Sequence, residues 1–335
     1  MFEKKNVLVT GGAGFIGSHL CERLLREGGV RIICVDNIST GSIQNINDYL
    51  QNPDFQFIRA DVTEPLHLED RSELASYKIP FQGIQEIYHL ACPTTITHFD
   101  EQKIATLRAN AEGMTQTLEI ANKYKSKVVF TSSSVVYGPR REDNPLTSEN
   151  ELGVVDHLTP RACYDEGKRF AETVCHTYRD VHKLDVRIAR IFRTYGPRTP
   201  LHDGHLIPDF ILNALDNKDL LVYEEGKFRT SLVYVTDIVD GLIRLMMAPK
   251  DLGPVNFGSD YEMNITEVIE KILTLTESSS KIVVGEDLLF LSELPVPDLT
   301  LAKESLGWIP LVRLEDGLNK TIEFMKANRR LLTLS

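Results

Sequence analysis

Tyr164 and Lys168 stand four residues apart in the run YDEGK, the spacing that brings two side chains to one face of a helix, a turn apart. A free tyrosine titrates near ~10, too high for a base at neutral pH. A neighbouring ammonium favours the phenolate and lowers that value, which is what general acid/base chemistry requires. Taken alone, the pair equally describes two residues on a helix surface. A hydroxyl run, Ser132-Ser133-Ser134, follows an apolar stretch over residues 127–131. At a strand end such a hydroxyl could hold the oxygen of a carbinol beside Tyr164, although serine runs elsewhere are turn chemistry.

The elements that would position this pair begin at the N-terminal end. Residues 6–10 (NVLVT) read as a buried strand that runs into Gly11, Gly14 and Gly17, with Phe15 and Ile16 inside the turn, and then into a helical pattern over residues 18–26. Strand, glycine turn and helix N-terminus form a phosphate-binding device, because backbone N–H groups face the anion and a Cβ would obstruct its approach. The next strand, residues 31–35, ends at Asp36 and Asn37, about twenty residues beyond the glycines. A carboxylate there accepts hydrogen bonds from ribose hydroxyls and repels a 2′-phosphate, so NAD is expected over NADP; the plain alternative is a turn residue.

Further strands over residues 55–59, 86–90, 127–131 and 185–192 alternate with helical stretches, the longest being 101–124. That alternation predicts an α/β fold, a doubly wound parallel Rossmann sheet, with ligands beyond the carboxyl ends of its strands. Asp61 and Val62 then fall near an adenine, and Leu90, Ala91 and Cys92 along the cofactor, or each run simply ends a strand. After residue 200 the alternation loosens. A smaller C-terminal α/β substrate-binding lobe is expected over residues 201–335, against an NAD-binding domain over residues 1–200, with the two interleaved.

The formal charge of −11 and the absence of a basic cluster argue against nucleic acid as a partner. No apolar run approaches a membrane span and the start has no signal-peptide pattern, so the expected location is cytoplasmic. The five cysteines lack metal-ligand spacing, and no metal is expected.

GGAGFIG, Asp36, YHLAC, the serines before VYG, YDEGK and the YGP turn together resemble the extended short-chain dehydrogenase/reductase family, the NAD-dependent epimerases and dehydratases of nucleoside-diphosphate sugars. The runs IYHLACP, RACYDEGKR and IARIF before TYGP are most similar to UDP-glucuronate decarboxylases. The resemblance implies that Tyr164 is the base for oxidation of the sugar at C4, that Lys168 is its partner and a ribose ligand, and that Ser133 positions the reacting oxygen. It also implies a nucleoside-diphosphate sugar as substrate, a UDP-sugar being the first expectation, with Ser134, Arg193, Arg198, Tyr223 and Arg229 as its contacts. Arg198 could instead be a surface ion pair. Finally, it implies a homodimer pairing helices 101–124 and 164–182 through Ile104, Leu107, Met114, Phe170 and Val174.

The chain departs from the family at the sugar. Dehydratases carry Asp-Glu at the positions of Ser134 and Val135, which disfavours dehydration here. Decarboxylases carry glutamate at Val135, asparagine at Arg193 and arginine at Thr230. A valine relays no proton, and arginine for asparagine adds a charge. Decarboxylation is the first expectation, because a β-keto acid loses carbon dioxide readily. C4 epimerisation is the alternative, and a non-catalytic NAD-binding sensor a third.

Overall fold

Short runs of β-branched and aliphatic residues build the centre of the molecule. The computed structural model describes residues 4–94, 99–141, 145–201, 204–222, 229–285 and 294–332. In chain order the strands are β1 (Lys5–Thr10), β2 (Val30–Asp36), β3 (Phe55–Arg59), β4 (Glu86–His89), β5 (Lys127–Ser133) and β6 (Val186–Ile191), then β7 (Thr194–Tyr195), β8 (Leu220–Val222), β9 (Arg229–Ser231), β10 (Val233–Tyr234), β11 (Pro254–Phe257), β12 (Glu262–Asn264) and β13 (Ile282–Val284). Among the described residues seven of them form one sheet in the order β11-β6-β5-β4-β1-β2-β3, and every pairing in it is parallel.

Alternate residues of each strand point to opposite faces, and both faces are covered. Val7, Val9, Ile32 and Cys34 pack with Leu20 and Leu24 of helix Phe15–Glu27 and with Ile238, Leu242 and Leu245 of helix Val235–Met247. Leu8, Ile33 and Val35 pack on the other side with Met114, Leu118, Ala171 and Cys175. The doubly wound parallel sheet is therefore present as expected.

The short strand β11 escaped the sequence reading. Its four residues include a proline and an asparagine, and a proline opening an edge strand costs no ladder hydrogen bond. The helix expected over 101–124 is also not uniform. Helices Phe99–Arg108 and Met114–Tyr124 are joined by a π-turn, Ala109–Gly113, and Asn110 within it is buried, donating to the Thr106 carbonyl at 2.9 Å and to Cys92 Sγ at 3.2 Å. Met114 does not join an outward patch. It is fully buried, with its sulfur 3.7 Å from Cys175 Sγ, because the π-turn shifts the helical phase. Ile104, Leu107 and Phe170 do face outward, 69%, 44% and 52% exposed.

A smaller body carries helices Leu206–Leu215, Ile265–Thr276 and Leu314–Leu332 around their own apolar cluster, with the ribbons β7–β10, β9–β12 and β8–β13. Among the described residues no helix is long and apolar enough to cross a membrane, and no cluster of His, Cys, Asp or Glu is placed to hold a metal.

Candidate active site

A cleft of about 400 Å³ opens at the carboxyl ends of β1 to β6. Of the residues singled out in the sequence, it brings together Gly11, Gly14, Phe15, Ile16, Gly17, Asp36, Asn37, Asp61, Val62, Leu90, Ala91, Ser133, Ser134, Tyr164, Lys168 and Arg193.

At its floor the chain must be glycine. A Cβ on Gly17 would lie 2.1 Å from the Gly11 carbonyl oxygen, and one on Gly11, whose φ is +73°, would lie 2.8 Å from the Ala91 nitrogen. Helix Phe15–Glu27 starts at Gly14 with no side-chain cap, which leaves its first-turn N–H groups for an anion. Asp36 is buried at the end of β2, and its carboxylate accepts the N–H groups of Ala13 at 3.0 Å and Ile38 at 2.8 Å. Burial pushes its pKa up and those two bonds oppose the rise. Asn37 donates to Asp61 at 2.9 Å, tying the ends of β2 and β3 across the cleft wall. A glycine cradle, an uncapped helix and a buried strand-end carboxylate fit a dinucleotide.

Tyr164 lies in the first turn of helix Ala162–His182 and shares the cleft with Ser133 at the end of β5. Lys168, 4% exposed, lies one turn on, its ammonium 5.8 Å from the centre of the Tyr164 ring and donating to the Thr131 carbonyl at 2.9 Å. The expected lowering of the phenol does not dominate here. Burial pushes Tyr164 well above the usual tyrosine range, with Cys92 adding to it, while Ser133 and Arg161 pull it down. Burial likewise lowers the Lys168 ammonium.

Positive charge gathers beyond this pair. Arg161, which caps the helix and lies with its guanidinium 5.9 Å from the Tyr164 ring centre, also lines the cleft. Arg193 donates to Thr230 Oγ1 at 2.9 Å, and burial together with the nearby Arg161 charge lowers its pKa to about 10. Val135, 6% exposed, faces the same space.

The structure does not bring Arg198 or Arg229 into the cleft lining. Arg198 pairs with Glu22 at 2.8 Å and donates to the Tyr49 hydroxyl at 3.3 Å, on the flank of helix Phe15–Glu27. Arg229 is half-exposed and pairs with Glu262 at 2.9 Å across the β9–β12 ribbon. Both partners are remote in sequence, so no local pattern announced them. Tyr223 lies outside the described residues. Sequence reasoning missed Arg161, Thr199 and His205 as lining residues, while Cys92 lines the cleft as expected; of the missed ones Arg161 had a readable signal, three residues before Tyr164 and so on its helical face.

The profile of the NAD dependent epimerase/dehydratase family matches residues 7–263. This chain belongs to that family. UDP-glucuronic acid decarboxylase 1 of Xenopus tropicalis is 38% identical to it over 97% of this chain and 73% of its own length. UDP-glucuronic acid decarboxylase 5 of Arabidopsis thaliana is 39% identical over 93% of this chain and 86% of its own. The UDP-glucuronic acid 4-epimerase of Bacillus cereus, solved in complex with UDP-glucuronic acid and NAD, superposes with a TM-score of 0.82 at 26% identity, covering 96% of this chain and 99% of that one. As a member of an NAD-dependent epimerase/dehydratase family the protein is an NAD-dependent enzyme, and the residues of the cradle described above fit a dinucleotide's pyrophosphate and ribose.

Proposed function

We propose that this epimerase/dehydratase-family enzyme oxidises C4 of a UDP-hexuronate and releases the sugar carboxylate as carbon dioxide. The observation that carries the reading is the meeting of Tyr164, Lys168 and Ser133 in one cleft that also holds Arg161 and Arg193. NAD, when bound, supplies the redox capacity and, when oxidised, a positive ring.

Tyr164 takes the C4 hydroxyl proton as the carbinol is oxidised, and Ser133 holds that oxygen in line. The Lys168 ammonium, anchored on the Thr131 carbonyl, stabilises the phenolate against the burial that otherwise raises it. In the resulting 4-keto acid the C5–C6 bond breaks and its electron pair spreads onto the C4 oxygen. Tyr164, now carrying the proton, donates a hydrogen bond to that oxygen while a proton from solvent enters at C5 and carbon dioxide leaves; the C4 ketone then takes back the hydride lost in the first step and the Tyr164 proton, which restores the carbinol. Arg161 and Arg193 offer the sugar carboxylate a charged fork until then.

The second reading is C4 epimerisation of the same class of sugar. Val135 favours it, since an apolar side chain at that wall supplies no proton relay beside C5 and gives a keto sugar room to turn. Purified protein incubated with NAD and a panel of UDP-sugars tests both. The expected product of UDP-glucuronate is lighter by carbon dioxide; unchanged mass with altered retention establishes the epimerase, and no turnover of any UDP-sugar overturns the reading. We infer also that the enzyme is a homodimer working in the cytoplasm, supported by the outward Ile104, Leu107 and Phe170 and by five cysteines that are all free thiols.

A further inference from the structure

A row of polar side chains crosses the β5–β6–β11 side of the sheet near its carboxyl ends, where parallel strands covered on both faces are otherwise apolar. Ser132 on β5, Arg190 on β6 and Asn256 on β11 stand opposite one another in register, and all three are at least nine-tenths buried. Glu172 reaches them from helix Ala162–His182, one turn beyond Lys168. Its carboxylate accepts Ser132 Oγ at 2.6 Å and Arg190 Nε at 2.9 Å on one oxygen, and Arg190 Nη2 at 2.7 Å on the other. Arg190 then donates through Nη1 to the Tyr137 hydroxyl at 2.9 Å and to the Glu149 carbonyl at 3.1 Å, and Tyr137 donates to Asn256 Oδ1 at 2.7 Å.

Stability is a poor account of this arrangement. A buried ion pair can often be replaced by apolar residues of equal volume at little cost, because desolvation offsets its attraction. What the pair does is touch both ends of one short turn. Ser132 precedes Ser133, and Tyr137 ends the helical turn Ser134–Tyr137 that carries Val135. The same carboxylate is among the groups that oppose the loss of charge on Lys168.

We propose that the Glu172–Arg190 pair is a positioning device that fixes the Ser133–Val135 turn and the Lys168 helix in one geometry for the chemistry at C4. The proposal rests on the reading of Tyr164 and Ser133 given above. Neither residue of the pair lines the cleft, so it acts on the reaction through Ser133 and Lys168 and leaves the ligands untouched. A positioned group displaced by about 1 Å costs rate on the order of 10²-fold.

Glu172→Gln keeps the shape and removes the charge; Ser132→Ala removes one hydrogen bond and leaves the ion pair, so it folds if the first variant does not. For each, kcat and KM with UDP-glucuronate, NAD affinity, and amide exchange of residues 131–138 are read together. We expect kcat to fall by about 10²-fold for Glu172→Gln and about tenfold for Ser132→Ala, with KM and NAD affinity little changed and faster exchange in the turn. Parental kcat and exchange in a folded variant overturn the proposal, as does a loss carried equally by KM and NAD affinity. Should the parent itself turn over no UDP-sugar, the functional reading fails, and exchange in the turn still decides the positioning claim: faster upholds it, unchanged overturns it.

Discussion

Tyr164 shows why a residue's spacing and its environment must be weighed together. Its neighbours four residues on and across at β5 are those that proton transfer needs, yet burial works against ionisation. Tyr164→Phe keeps the ring and loses the oxygen, so kcat should fall by ~10²–10⁴-fold while calorimetry finds nucleotide-sugar binding retained; parental turnover would remove Tyr164 from the chemistry. Asp36 should make NAD bind at least about tenfold tighter than NADP, because its buried carboxylate faces where a 2′-phosphate would sit. Equal affinities would show that its bonds to Ala13 and Ile38 are its whole role. Val135→Glu places a carboxyl in a buried wall, where desolvation raises its pKa toward neutrality and lets it deliver a proton. Decarboxylation should speed up, as followed by carbon dioxide release, whereas a C4 epimerase should slow.

Elements explain what could be read from the chain and what could not. The glycine turn, the first six sheet strands and the Tyr164 helix follow from patterns a few residues long, and so they were legible. The π-turn at Ala109–Gly113, the four-residue β11 and the ion pairs of Arg198 and Arg229 depend on partners far along the chain, and local patterns carry no trace of those. His89 belongs to the same class. It is buried on β4 with Nδ1 at 2.8 Å from Thr10 Oγ1 and 3.0 Å from Thr117 Oγ1, joining β1 to helix Met114–Tyr124. Burial, and then the Lys168 charge, lower its pKa from 6.5 to about 3. The unfolded chain therefore binds a proton near 6.5 that the folded chain refuses until about 3, so this contribution is whole above 6.5 and is lost as pH falls through that window. Thermal midpoints between pH 7.5 and 5 should drop more steeply for the parent than for His89→Gln; parallel curves would contradict the assignment.

At the scale of the molecule, the outward Ile104, Leu107 and Phe170 on two neighbouring helices are the apolar surface a second copy would cover. Sedimentation should give a dimer at micromolar concentration, and Phe170→Glu should yield monomers that keep NAD affinity; a monomeric parent would dismiss the patch as an interface. The position of β11 has an effect of another kind, on how the chain is made. The sheet that carries the nucleotide cradle ends on residues 254–257, which pair with β6 and meet Trp308 edge-on, ring centres 4.9 Å apart. A nascent chain that has delivered only β1 to β6 leaves β6 as an unpaired apolar edge, the kind of surface that recruits chaperones or other unfinished chains. The edge of the sheet is thus completed only once residues 254–257 and Trp308 have been synthesised.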